Sequence, residues 1–202
     1  TSVEQMVKEA TEVHGETDIL INNAGGDFSE QFENITANGW KSIVDVNLHG
    51  TFHCTQAVGE VMRAGDGGAI VTVASMYGLS GAKNHTPYSA AKAALINFVE
   101  VLAAEWAEED IRVNAVAPGF VLTPGLEGLT EEIDEANLVR ENVERRIGLP
   151  EEIADVIQFL ASPAASFITG STITARGVPD IHSVSANVER AERQILSNSI
   201  DE

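Results

Sequence analysis

The sequence is poor in positive charge, in sulfur and in aromatic rings. Its 202 residues carry 12 lysines and arginines against 31 aspartates and glutamates, a formal net charge of −19, and only four of the basic residues are lysine. A chain so acidic repels phosphate backbones, which excludes nucleic acid as a partner. The single cysteine, Cys54, cannot close an internal disulfide and reads as a small core residue. No Cys/His cluster stands at zinc-binding spacing, and His49 and His53, though one helical turn apart, lack a third ligand, so no metal is expected. Long apolar runs are missing too. The longest stretch, Ala93 to Ala104, is interrupted by Glu100, and no membrane span is expected. The start, Thr1 to Gln5, has no basic region followed by an apolar one, so no signal peptide is expected and the predicted location is the cytoplasm. Repeats and low-complexity tracts are absent. The acids lie in small groups, such as Glu108, Glu109 and Asp110, on a surface with little lysine. That pattern fits either a protein of a salt-rich cytoplasm or an ordinary acidic enzyme.

What is present suits one α/β domain with a sizeable core: 44% of the residues are hydrophobic. Val3, Met6, Val7 and Ala10 recur at helical spacing, and Gly15 closes that helix. Asp18 to Ile21 reads as a buried strand running into Asn22-Asn23-Ala24-Gly25-Gly26. Thr36 can cap a helix that carries Trp40, Ile43, Phe52 and Ala57, with Asn47 in its middle. Asparagine is a poor residue there, so it marks either a bend with a functional side chain or a surface position. Ala69 to Ala74 is a second strand ending at Ser75, and Ile111 to Ala117 a third, followed by Pro118-Gly119-Phe120-Val121-Leu122-Thr123. Residues 124–148 read as either a lid over a pocket or a solvated helix pair. A helix follows from Pro150 to about Ala161, then a short strand over Thr169 to Thr174. The domain is expected to end near 178, with a polar tail over 179–202. Such alternation predicts a right-handed parallel sheet, with ligands beyond the carboxyl ends of its strands. Asn22 to Gly25, Ser75 and Pro118 to Thr123 all fall at that end.

The central stretch is Thr86-Pro87-Tyr88-Ser89-Ala90-Ala91-Lys92. Thr86 is expected to cap a helix whose first turn holds Pro87. Tyr88 and Lys92, four apart, then share one face near its start. An ammonium and a positive helix end beside a phenol predict a lowered tyrosine pKa, suited to proton exchange near neutrality. The other reading of the pair is a half-buried tyrosine beside a solvated lysine.

Taken together, Asn22-Asn23-Ala24-Gly25, Asn47, Ser75, Tyr88-x-x-x-Lys92, Pro118-Gly119 and Thr123 resemble the short-chain dehydrogenase/reductase family, in family order, over residues 1–178. The finer likeness is to the 3-oxoacyl-carrier-protein reductase and sugar or polyol dehydrogenase branches. The resemblance implies a Rossmann-like doubly wound sheet and an oxidoreductase using NAD or NADP on a small carbonyl or secondary alcohol. It implies that Tyr88 is the acid/base, that Lys92 holds the nicotinamide ribose and lowers the tyrosine pKa, that Ser75 binds the substrate oxygen, and that Asn47 holds a relay water. It places Asn22, Ala24 and Gly25 on the adenosine side of the cofactor, and Pro118, Gly119, Val121 and Thr123 on the nicotinamide side. A homo-oligomer, dimer or tetramer, is implied as well. The family's glycine-rich turn does not occur, so the chain is expected to hold the family's strands 4 to 7, and the strand at 18–22 to form an apolar sheet edge. Ala175-Arg176-Gly177-Val178 stands where the family usually has Val-Asp-Gly-Gly. A non-catalytic remnant of the fold, kept for assembly or partner binding, is the alternative.

Overall fold

The computed structural model describes residues 2–123 and 147–177. The chain opens with helix α1 (Ser2–His14), closed by Gly15 at a φ of 87°, and passes into strand β1 (Ile19–Asn22). Thr36 caps helix α2 (Ala37–Val44): its side chain accepts from Gly39 N at 3.0 Å. A π-helical turn, Asp45–His49, leads into α3 (Gly50–Ala64). The bend expected at Asn47 is this turn. Strand β2 (Gly68–Val73) is followed by a short helix, α4 (Met76–Ser80), and by the long α5 (Thr86–Glu105). Strand β3 (Ile111–Pro118), helix α6 (Pro150–Ala161) and strand β4 (Thr172–Ala175) complete the described order.

The four strands are parallel and lie in the order β1-β2-β3-β4. Side chains alternate between the faces of a strand, so each inner strand feeds two cores. On one face Ile70, Ile111, Val113, Ala115 and Ala117 pack with Val7 of α1, Val58 and Met62 of α3, and Val99 and Leu102 of α5. On the other, Val71 packs with Leu160, Val156 and Ile157 of α6 and with Ile173. Val156, Ile157 and Leu160 thus form the packing face of α6. β1 lies at the sheet edge among the described residues. Only Leu20 joins the core, while Ile19 and Ile21 are 49% and 38% exposed, which corrects the buried reading of this run.

Two reserves of sequence reasoning fail locally. Short α4 is absent from the expectations, because five residues cannot display a helical period. The N-cap of α5 is His85, not Thr86, which is the first helical residue. The lid expected at 124–148 falls almost wholly outside the described residues, as does the tail at 179–202. No helix among the described residues is long and apolar enough to cross a membrane.

Candidate active site

The carboxyl ends of the strands open into a cleft of about 1140 Å³. Each wall comes from a different crossover. The turn after β1 supplies Asn23, Gly25, Gly26 and Asp27; the end of β2 supplies Val73, Ala74 and Ser75; α5 supplies Tyr88 and Lys92; the segment after β3 supplies Pro118, Gly119, Phe120, Val121 and Thr123.

Lys92 is a buried cation, 3% exposed. Its Nζ donates to Val73 O at 2.7 Å and stands 5.4 Å from the centroid of the Tyr88 ring. Helical spacing therefore does what the sequence predicts: it brings the ammonium to the phenol, one turn along. Burial opposes the charged form and lowers the Lys92 pKa to about 8. Gly78 makes this burial possible. A Cβ on it would fall 2.7 Å from the Lys92 carbonyl carbon, so α4 lies against α5 only because residue 78 has no side chain.

Ser75 caps α4. Its Oγ accepts from Tyr77 N at 3.1 Å and its side chain also hydrogen-bonds the Tyr88 phenol. The expected lowering of the Tyr88 pKa is corrected here. Burial comes first and raises it, the Ser75 bond opposes that rise, and the charge of Asp27 adds to it. The Lys92 ammonium lies against the ring rather than at the oxygen, and a half-buried phenolate loses more water than the bond to Ser75 restores.

Asn47 is wholly buried, not a surface residue. Its Nδ2 donates to Gly26 O at 2.7 Å and to Ile43 O at 2.9 Å. Its Oδ1 is buried with no hydrogen-bond partner. A Cβ on Gly25 would come 2.7 Å from that oxygen and 3.4 Å from Lys92 Nζ. Gly25, Asn47 and Lys92 thus meet at one polar point, reached because the π-helical turn rotates Asn47 inward. An orphan carbonyl oxygen beside an ammonium is a site for a bridging water.

The other predicted residues divide. Pro118, Gly119, Val121, Thr123 and Gly25 line the cleft. Asn22 does not: it is buried behind the wall, where its Nδ2 donates to Thr55 Oγ1 at 2.9 Å and Thr72 Oγ1 at 3.4 Å. It ties β1 to α3 and β2 and so fixes the turn that carries Gly25. Ala24 is exposed and is not part of the wall, which takes Asn23 instead. Sequence reasoning misses Asp27, Tyr77, His85, Ile157 and Arg176, which also line the cleft. Only His85 carries a usable signal, since it precedes Tyr88 by nearly one turn. Of the histidine pair weighed for metal, His49 Nδ1 lies 2.9 Å from Asp45 and His53 packs against Phe52.

Comparison with known proteins gives four findings. A family model described as enoyl-(acyl carrier protein) reductase matches residues 1–177. The chain is 39% identical over 175 residues to the 3-oxoacyl-[acyl-carrier-protein] reductase FabG of Thermotoga maritima, covering 87% of this chain and 71% of that protein. It is 36% identical over 176 residues to dehydrogenase/reductase SDR family member 4 of Oryctolagus cuniculus, covering 86% and 68%. Among solved structures, ElxO with NADP bound superposes with a TM-score of 0.83 at 29% identity, covering 87% of this chain and 72% of that one.

Proposed function

The chain belongs to the short-chain dehydrogenase/reductase family, and from that premise we propose that it interconverts a carbonyl and a secondary alcohol with Tyr88 as the acid/base. The observation that carries the reading is the convergence at Tyr88: Ser75 hydrogen-bonded to its phenol and the buried Lys92 ammonium against its ring.

The cofactor is NAD or NADP, and the residues fit it. Gly25 leaves space where any side chain would strike Asn47, and Lys92 offers an ammonium with one hydrogen bond to the protein. Lys92 and Tyr88 would hold it from α5, Gly25 from the turn after β1, and Pro118, Gly119, Val121 and Thr123 from beyond β3. When bound, it supplies or takes the hydride. The rest falls to the chain. Ser75 Oγ and the Tyr88 hydroxyl together hydrogen-bond the substrate oxygen. In reduction the Tyr88 hydroxyl gives its proton to that oxygen; in oxidation the phenolate takes one back. Burial keeps Tyr88 protonated, which suits the donor role, and the bond with Ser75 limits the penalty on phenolate in the reverse direction. Lys92 can renew the proton through the polar point it shares with Asn47 Oδ1. We read the assembly as a cytoplasmic homo-oligomer; the exposed Trp40, Phe52 and Val101 of α2, α3 and α5 support association between copies.

Tyr88→Phe tests the assignment. It removes the proton while keeping the ring that packs on Lys92. Turnover is expected to fall by about 10²- to 10⁴-fold, with cofactor affinity within about threefold by titration. Near-normal turnover removes Tyr88 from the acid/base role. A folded wild-type chain with no turnover on any carbonyl or alcohol favours the non-catalytic remnant instead.

A further inference from the structure

Two charged or titratable side chains on the cleft wall have no part in the chemistry above. Asp27 follows the Gly25-Gly26 turn, and His85 precedes α5. His85 Nδ1 lies 2.6 Å from Asp27 Oδ2. The second carboxylate oxygen of Asp27 accepts from Phe28 N at 2.8 Å. A backbone bond, Glu30 N to Asn84 O at 2.8 Å, ties the same two loops together. The His85 ring stands 5.2 Å from that of Tyr77, and Tyr77 meets the Tyr88 ring edge-on at 6.2 Å. The side chains of His85 and Asp27 stay 24% and 26% exposed, so the pair belongs to the cleft wall and not to the core.

His85 sits where a helix usually places a side chain that caps it, yet makes no capping bond. Its ring is turned to Asp27 instead. A carboxylate only accepts, so Nδ1 carries the proton. Nε2 has no partner among the described residues and is left as the ring's second polar atom. It accepts a hydrogen bond in the neutral ring and donates one in the protonated ring.

We propose that His85, oriented by Asp27, determines specificity by receiving a second oxygen function of the substrate near the reacting carbon. The proposal rests on the oxidoreductase reading above. The first oxygen lies at Tyr88 and Ser75; the second lies one ring further along the wall, past Tyr77. The substrate class is a ketone or secondary alcohol that carries a second hydroxyl or carbonyl oxygen. A hydroxyl donates to Nε2, and a carbonyl accepts from its protonated form. Tyr77, between the two points, gives the intervening carbons an apolar face.

The test uses the full chain and three ketones of equal length: one with no second oxygen, one with a neighbouring hydroxyl, one with a neighbouring carbonyl. The wild type is expected to favour one of the two-oxygen substrates by about 10- to 100-fold in kcat/KM. Which one it favours identifies the second oxygen. His85→Phe brings the ratio close to one, mainly through KM, and His85→Gln restores most of it. Asp27→Asn, which frees the ring without removing it, lowers the ratio as well and serves if His85→Phe fails to fold. A ratio unchanged in these variants overturns the proposal while leaving the oxidoreductase reading intact. No turnover of any ketone by the wild type overturns both.

Discussion

Arg112 and Lys92 are both drawn out of solvent, at opposite ends of their usefulness to the fold. Arg112 of β3 spends its guanidinium on four backbone carbonyls: Nη1 donates to Leu160 O (2.7 Å) and Ala165 O (3.1 Å), Nη2 to Ala161 O (3.2 Å) and Ser162 O (3.1 Å). Leu160 O and Ala161 O are carbonyls that the end of α6 leaves without helical partners, whereas Ser162 O and Ala165 O also accept from Ala165 N and Ile168 N. Lys92 is more deeply buried, yet donates to one carbonyl, Val73 O, and keeps two N–H bonds for other partners. Burial lowers the pKa of both. A fixed fork suits a permanent structural clamp, whereas an ammonium with unspent donors suits a site that must bind and release. The difference teaches where function sits: at the buried cation that structure alone does not explain.

Crossed substitutions break or uphold this contrast. Lys92→Met is expected to reduce kcat/KM by at least about 10²-fold while leaving the unfolding midpoint no lower than the wild type. Arg112→Met is expected to do the opposite. It strands two carbonyls, Leu160 O and Ala161 O, the first on a fully buried residue, and destabilises the protein by about 2–4 kcal/mol. Activity per folded molecule should be unchanged. Urea unfolding beside steady-state kinetics reads both. Equal losses of activity would erase the distinction.

A smaller effect sharpens it. The Lys92 pKa falls from 10.5 unfolded to about 8 folded. Between those values the unfolded chain binds more protons, so stability rises with pH across that window. The gain is fully present above 10.5 and is lost as the pH falls through 8. The slope is at most about 1.4 kcal/mol per pH unit. Tyr88 works against it at the alkaline end. Its raised pKa keeps a proton in the folded state that the unfolded chain gives up above about 10. The clean window is therefore pH 8 to 10. Unfolding at several pH values there should give a flatter line for Lys92→Met than for the wild type. Parallel lines would mean that Lys92 keeps an ordinary pKa.

The residues that drive this contrast were unequally legible in the sequence. Tyr88 and Lys92 declare themselves because a helix repeats every few residues, and both lie on one long helix. Gly25, Ser75 and Pro118 to Thr123 follow from the rule that parallel sheets bind ligands at their carboxyl ends. Asn47 could be suspected because asparagine fits badly inside a helix, but its inward turn depends on one π-helical residue that no periodicity shows. Asn22 misleads for the converse reason: its place beside Gly25 suggests a ligand contact, while strand alternation sends its side chain backward to Thr55 and Thr72. The pairing of His85 with Asp27 spans 58 positions and has no local signature. The Tyr88 pKa fails because spacing gives the nearness of a charge and not the water lost.

The smallest effect concerns the surface, where charges repel instead of pairing. Around Arg63, one hollow gathers Glu60, Asp66, Glu108, Glu109 and Asp110. Arg63 pairs with Glu109 at 2.7 Å, which leaves the other carboxylates facing one another. The other ion pairs among the described residues are exposed and join near neighbours on one helix, as in Lys8 with Glu12, except that of His85 with Asp27. Exposed pairs add about 0–1 kcal/mol each, so they cannot offset a net charge of −19. Added salt screens the repulsion, since the Debye length shrinks to about 3 Å at 1 M. Raising KCl from low to molar concentration is therefore expected to lift the unfolding temperature by several degrees, roughly 1–2 kcal/mol in a domain of this size. The joint substitution Asp66→Asn and Glu108→Gln should take away part of that gain by removing the repulsion first. Sodium chloride should act like potassium chloride if screening is the cause. A midpoint that is flat or falls with salt would place the protein among ordinary acidic enzymes.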